Sequence, residues 1–227
     1  MRHLLLAALP AALLAAPAHA QEVVPLELVL LADASGSIPD SEHAFQRRGY
    51  AAALTSPEVL GAIEATGGVA LTYVEWAAGT GVVVPWTLLR TESDARAFAD
   101  ELMTRPRIAA GRNRIGGALL DGLALIEGND YQGIRRVIDF SGDSANNYSG
   151  PGIAASRDTV VAAGVTINAL ALACRSCDQP RPGVEEAYRT QVIGGPGAFV
   201  VTVEAAESFA ETVTRKLVAE ILIGSLD

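Results

Sequence analysis

The sequence predicts an α/β fold, a mainly parallel sheet with helices on both faces. Three observations lead there. Runs rich in apolar and β-branched residues alternate along the chain with stretches of helical spacing, and right-handed crossovers between such runs lay the strands side by side. The first run, residues 26–32 (LELVLLA), is almost unbroken in apolar character, as expected of a strand covered on both faces. It ends at Asp33 and passes directly into a small polar loop, Ala34-Ser35-Gly36-Ser37.

Ahead of that strand, residues 1–20 read as a leader. Arg2 and His3 are basic, residues 4–16 are apolar apart from Pro10, and Ala18-His19-Ala20 is a small-x-small cleavage signal before Gln21. This is the layout of a secretory signal peptide. The apolar run is shorter than the ~20 residues needed to span a membrane. The remaining chain, 21–227, is expected to be one domain, periplasmic or secreted, with no stable membrane insertion.

Residues 39–54 carry helical spacing, with Pro57 past their end. Residues 69–76 and 82–86 are β-branched and aromatic, joined by a Gly-containing turn, and read as a hairpin. Thr91 with Asp94 three residues on signals a helix start, and residues 95–103 follow. Ile115, Leu119, Leu123 and Ile126 form one apolar face of the next helix. A strand is expected over 136–141, a helix over 153–163 ended by Gly164, and a strand over 165–172. After a loop holding Pro and Cys come a short helical stretch at 184–192, a strand at 198–203 and a last helix. In that helix Phe209, Val213, Leu217 and Ile221 step by four.

The formal net charge is −9. An acidic chain repels nucleic acid and anionic lipid, so neither is an expected partner, whereas metal ions or basic ligands are favoured. The two cysteines, Cys174 and Cys177, are close enough to close a local disulfide in an oxidising compartment. A C-x-x-C redox site is the alternative. A structural zinc site lacks two further ligands nearby, and c-type haem attachment fails because Asp178 follows Cys177.

Asp33, Ser35 and Ser37 offer three oxygen side chains, spaced two apart, where a buried strand hands over to a helix. Ligands of open parallel sheets bind at that edge, and hard cations such as Mg²⁺ take oxygen ligands. Mn²⁺ and Ca²⁺ are the alternatives. A bare helix amino terminus would suit an anion, but Asp33 puts negative charge in the same place.

The D-x-S-x-S pattern in that setting resembles the von Willebrand factor type A (VWA) family, whose metal-ion-dependent adhesion site begins with it. The likeness covers almost all of residues 21–227. Within the family the chain is similar to an exported bacterial subgroup of unknown function, through the segments LLADASGSI, YVEW, VVPWTLL, RRVIDFSGDSANN, GVTINAL and VIGGPGAF in that order. The resemblance implies a doubly wound, mainly parallel six-stranded sheet with one short antiparallel edge strand, here residues 82–86. It also implies a second loop giving a Thr and a third giving an Asp. Asn113 stands at the Thr position. The third loop, usually Thr-Asp-Gly, reads Ser141-Gly142-Asp143, which moves the acid one place on. The expected metal set is therefore Asp33, Ser35, Ser37, Asn113 and Asp143. A protein partner is then expected to complete the coordination with its own carboxylate.

Binding rather than catalysis is the expectation. Gly142-Asp143-Ser144-Ala145 imitates a hydrolase nucleophile elbow, but Asn146 stands at its fifth position. Outside the leader the only histidine is His43, which precedes the serine. No G-x-G-x-x-G follows the first strand. A structural or assembly domain whose metal site has degenerated stays open beside the adhesion reading, because of Asn113 and Gly142.

Overall fold

The computed structural model describes residues 21–175, 179–204 and 208–223. The expected leader and Cys177 of the expected disulfide lie outside the described residues. Strand β1 (Glu22–Asp33) leads through α1 (Asp40–Leu54) and α2 (Pro57–Thr66) to β2 (Val69–Trp76). The hairpin partner β3 (Thr80–Leu89), α3 (Glu92–Thr104) and α4 (Ile115–Glu127) follow, then β4 (Tyr131–Gly142), α5 (Ile153–Ala162) and β5 (Thr166–Leu172). Two short strands, β6 (Cys174–Arg175) and β7 (Gln179–Pro180), pair antiparallel. The chain continues through α6 (Val184–Gln191), β8 (Val200–Val203) and α7 (Phe209–Leu222).

The main sheet runs β3-β2-β1-β4-β5-β8, with β3 antiparallel to β2 and every other pairing parallel. Alternate residues of β1 feed two cores. Leu26, Leu28, Leu30 and Ala32 join Tyr50, Leu54, Phe98, Phe209 and Leu217 from α1, α3 and α7. Val29 and Leu31 join Leu119, Val160 and Tyr188 from α4, α5 and α6. This explains the unbroken apolar run: over residues 26–33 neither face of β1 meets water. On the first face α1 and α7 approach so closely that a Cβ at Gly49 would lie 2.2 Å from the Phe209 ring.

Two local features differ from expectation. Pro57 lies past the end of α1 as expected, but it also opens a helix the sequence did not show, α2, at its first position, with Ser56 Oγ accepting the Val59 N–H at 3.3 Å. A missing N–H costs nothing in a first helical turn. The antiparallel edge strand is ten residues long, not five.

The chain leaves β1 toward β2 on one side and later returns to place β4 on the other, so strand order reverses between β1 and β4. Such a switch point opens a crevice at the carboxyl ends of the strands. Asp33 closes β1 there and Gly142 closes β4 beside it.

Candidate functional site

The β1–α1 loop folds onto the ends of its neighbours. The Ser35 N–H donates to Asp33 Oδ1 at 2.7 Å, and the Ser35 and Ser37 hydroxyls lie 3.0 Å apart. The Ser37 hydroxyl donates to Asp143 Oδ1 at 3.1 Å. Residues 106 apart in sequence are thus joined at one point, and Asp33, Ser35 and Asp143 are buried there. The Gly36 N–H donates to Gly111 O at 2.8 Å, which draws in the loop carrying Asn113. Asn113 lines the same cleft as Ser37 and Asp143, and its carbonyl accepts the Tyr148 N–H at 2.9 Å. The cleft has a volume of about 760 Å³, and Arg112 and Tyr148 stand on its wall with the guanidinium 5.2 Å from the ring centre.

Beneath the site Trp76 stacks on Phe140, ring centres 4.9 Å apart, and its Nε1–H donates to Ser141 O at 3.0 Å. Gly142 lies against this floor. A Cβ there would come within 2.6 Å of the Tyr188 hydroxyl, 2.9 Å of Trp76 and 3.0 Å of Asp33 Oδ2. Position 142 therefore has no room for a side chain, and the acid at 143 is the one that reaches Ser37.

Asp33 Oδ2 is buried without a hydrogen-bond partner. Burial pushes the Asp33 carboxyl up to about 7, against the downward pull of its bonds from Ser35. An ionised carboxylate so placed is costly unless a cation joins it. Arg181 supplies a cation that sequence reasoning missed: its Nη1 pairs with Asp143 Oδ2. Its only sequence signal is a basic residue in a Pro-Gly turn, and no spacing rule links it to position 143.

A second buried acid braces the loops. Glu75, at the end of β2, is fully enclosed. Its Oε1 lies 2.5 Å from His43 Nε2 and 2.5 Å from Arg47 Nη2, and its Oε2 accepts the Ile108 N–H at 2.8 Å. Burial would raise this carboxyl, but His43, the Ile108 N–H and Arg47 together hold it down at about 2. Arg47 also donates to the carbonyls of Leu102, Arg105 and Pro106. Arg107 donates to Ala34 O at 2.6 Å and Ser35 O at 3.0 Å. The segment before Asn113 is thus clamped to α1, β2 and the β1–α1 loop. His43 is engaged with Glu75, and Ser144 Oγ accepts the Asn146 N–H at 3.0 Å.

Further along β4, Lys216 of α7 is buried between Asp139 at 2.6 Å and Glu220 at 2.5 Å, and Asn168 donates to Glu220 at 3.0 Å. Burial and the neighbouring Asp139 push the Glu220 carboxyl up, against the pull of Lys216 and Asn168.

Among the described residues no three His, Cys, Asp or Glu side chains cluster as a metal site. The donors at the sheet edge are instead two carboxylates and two hydroxyls, with the amide of Asn113 in the same cleft. All are oxygen donors suited to a hard cation. The unpartnered Asp33 Oδ2 among them is the observation that a divalent cation fits.

The fold is VWA-like. The vWF domain of the type V pili tip protein Mfa5 from Porphyromonas gingivalis superposes with a TM-score of 0.61 at 11% identity, over 88% of this chain and 96% of that one. Proximal thread matrix protein 1 from the mussel byssus gives 0.61 at 15% identity, and the pilus adhesin SpaC from Lactobacillus rhamnosus GG gives 0.59 at 13%. Each covers 88% of this chain, which spans 48% of the mussel chain and 31% of SpaC. One structure of the mussel protein is described as having a zinc-occupied MIDAS motif. No curated protein matches the chain. A family described as "Protein of unknown function (DUF1194)" matches residues 23–224, and the chain belongs to that family.

Proposed function

We propose that this chain is an exported, metal-dependent protein-binding module. Asp33, Ser35, Ser37, Asn113 and Asp143 would hold a divalent cation, Mg²⁺ first and Mn²⁺ or Ca²⁺ as alternatives. The observation that carries the reading is the hydrogen-bonded set Asp33–Ser35–Ser37–Asp143, with one buried carboxylate oxygen unpartnered, at the mouth of an open cleft. A cation bound there supplies a Lewis-acid position to which an outside oxygen can bond. Two carboxylates only neutralise a divalent charge, and the other donors are neutral, so the position favours an anionic ligand. A carboxylate on a protein partner fits the cleft's charge. Around it the chain's own residues orient and hold: Ser35 and Ser37 fix the two acids, and Trp76 and Tyr188 keep water out from below. The adhesin and matrix relatives support a role in protein contact, and the leader-like residues 1–20 support export to the periplasm or beyond.

Calorimetric titration of the purified protein with Mn²⁺ tests the metal. One ion per chain, lost in Asp33→Ala, is expected, and unchanged stoichiometry in that variant overturns the reading. The partner is sought by pull-down from periplasmic extract with and without chelator. Binding measurements with Ser37→Ala follow, and a partner that binds wild type and variant equally in chelator rejects the metal's role.

The Arg181–Asp143 pair favours a second reading, a structural domain whose site is closed by its own arginine. No metal uptake in any form of the protein would select it.

A further inference from the structure

The guanidinium of Arg181 occupies one of the two oxygens through which Asp143 could serve a metal. Asp143 is almost fully enclosed; its Oδ1 takes the Ser37 hydroxyl and its Oδ2 faces Arg181. Arg181 is itself held on a short tether. Its N–H donates to Ala173 O at 2.8 Å, just beyond β5. Two residues on, Gly183 turns the chain at φ +85° into α6. Helix α6 is fixed by the buried Tyr188, whose hydroxyl donates to Ser144 O at 3.2 Å. The arginine's charge reaches Asp33 as well. Its side chain remains 19% exposed, on the wall of the cleft, so the guanidinium has open space to swing into.

We propose that Arg181 is a tethered counter-ion that competes with the metal for Asp143, so that the chain carries its own cation when no metal is bound and must release it to take one up. This rests on the metal-binding reading above. A divalent ion beside an undisplaced guanidinium would meet like charge at low dielectric. With the guanidinium withdrawn, the two carboxylates face the ion alone. Arg181 thereby sets the metal affinity low without being a ligand. The released guanidinium stays at the mouth of the same cleft, where an incoming carboxylate would meet it.

Mn²⁺ binding to the purified chain, measured by calorimetry at fixed pH and ionic strength, tests this for wild type, Arg181→Gln and Arg181→Lys. Arg181→Met, which keeps the aliphatic stem, serves as a second uncharged variant, and circular dichroism checks each fold. The uncharged variants are expected to bind at least tenfold tighter than wild type, and Arg181→Lys within about threefold of it. Melting is the second readout. In chelator the uncharged variants should melt below wild type, because Asp143 loses its partner, and Mn²⁺ should raise their melting temperature by more. Equal or weaker binding in the folded uncharged variants overturns the competition while leaving the metal reading intact. Absence of binding in wild type and all variants overturns both.

Discussion

Replacing Glu75 by Gln keeps the side chain's shape and removes its charge, leaving Arg47 and the Ile108 and Ala109 N–H groups around a neutral amide. The cost follows from the carboxyl's displacement. At ~1.4 kcal/mol per pH unit, a drop from 4.5 to about 2 amounts to about 3 kcal/mol. Removing one partner of a buried ion pair costs roughly 3–5 kcal/mol in general, so two independent routes agree. Because the folded value lies below the unfolded one, this contribution is present above about pH 4.5 and is lost as pH falls through about 2. Urea unfolding of wild type and Glu75→Gln should therefore differ by about 3 kcal/mol at pH 7 and by about half that near pH 3. Metal affinity should also fall severalfold, because the clamped segment leads to Asn113. A difference under about 1 kcal/mol at pH 7, or one that ignores pH, would show that Glu75 does not brace this edge through its charge.

Asp33 has the opposite sign. Its folded value is raised, so its favourable contribution exists at low pH and is lost as pH rises through about 7. At pH 8 in chelator, Asp33→Asn should be at least as stable as wild type, and added Mg²⁺ should no longer raise its melting temperature. Gly142→Ala should cost about 1–3 kcal/mol by overpacking and weaken metal binding, read by urea unfolding and calorimetry; wild-type values in both would refute the tight floor. Lys216→Met leaves Asp139 and Glu220 buried without their cation and should cost roughly 3–5 kcal/mol at pH 7, and a neutral result would mean the cluster is not ionised as drawn. Intact-mass measurement of protein recovered from the periplasm should show Cys174 and Cys177 two hydrogens short of the reduced form, whereas two free thiols would reject the disulfide.

Much of the fold was legible because burial leaves a mark on residue type. The double-faced run in β1 and the four-residue steps of α7 each reported one packing environment. Helix α2 was hidden because Pro57 signals both the end of one helix and the start of another, and only the Ser56 cap decides between them. The length of β3 was hidden because an edge strand is half exposed and its alternation is weak. At the site, Asp33, Ser35 and Ser37 could be read because they are local in sequence. Whether Asp143 could serve from its displaced position depended on the space at Gly142, which three distant side chains fill. No local pattern in the sequence marks Glu75, since its partners come from α1 and the α3–α4 loop. Arg181 could not be read at all, because its contact exists only once β5, β7 and α6 are folded together.

The two margins of the sheet also bear on how copies of this protein behave near one another. One margin is β3, which carries Pro85, a residue with no N–H to offer, and whose pairing with β2 shifts register near Tyr73. The other is β8, only four residues long. An interrupted margin and a stubby one are poor templates for a further strand. Crowded copies therefore gain little by extending one another's sheets, and contact between them is left to side chains and loops rather than to backbone.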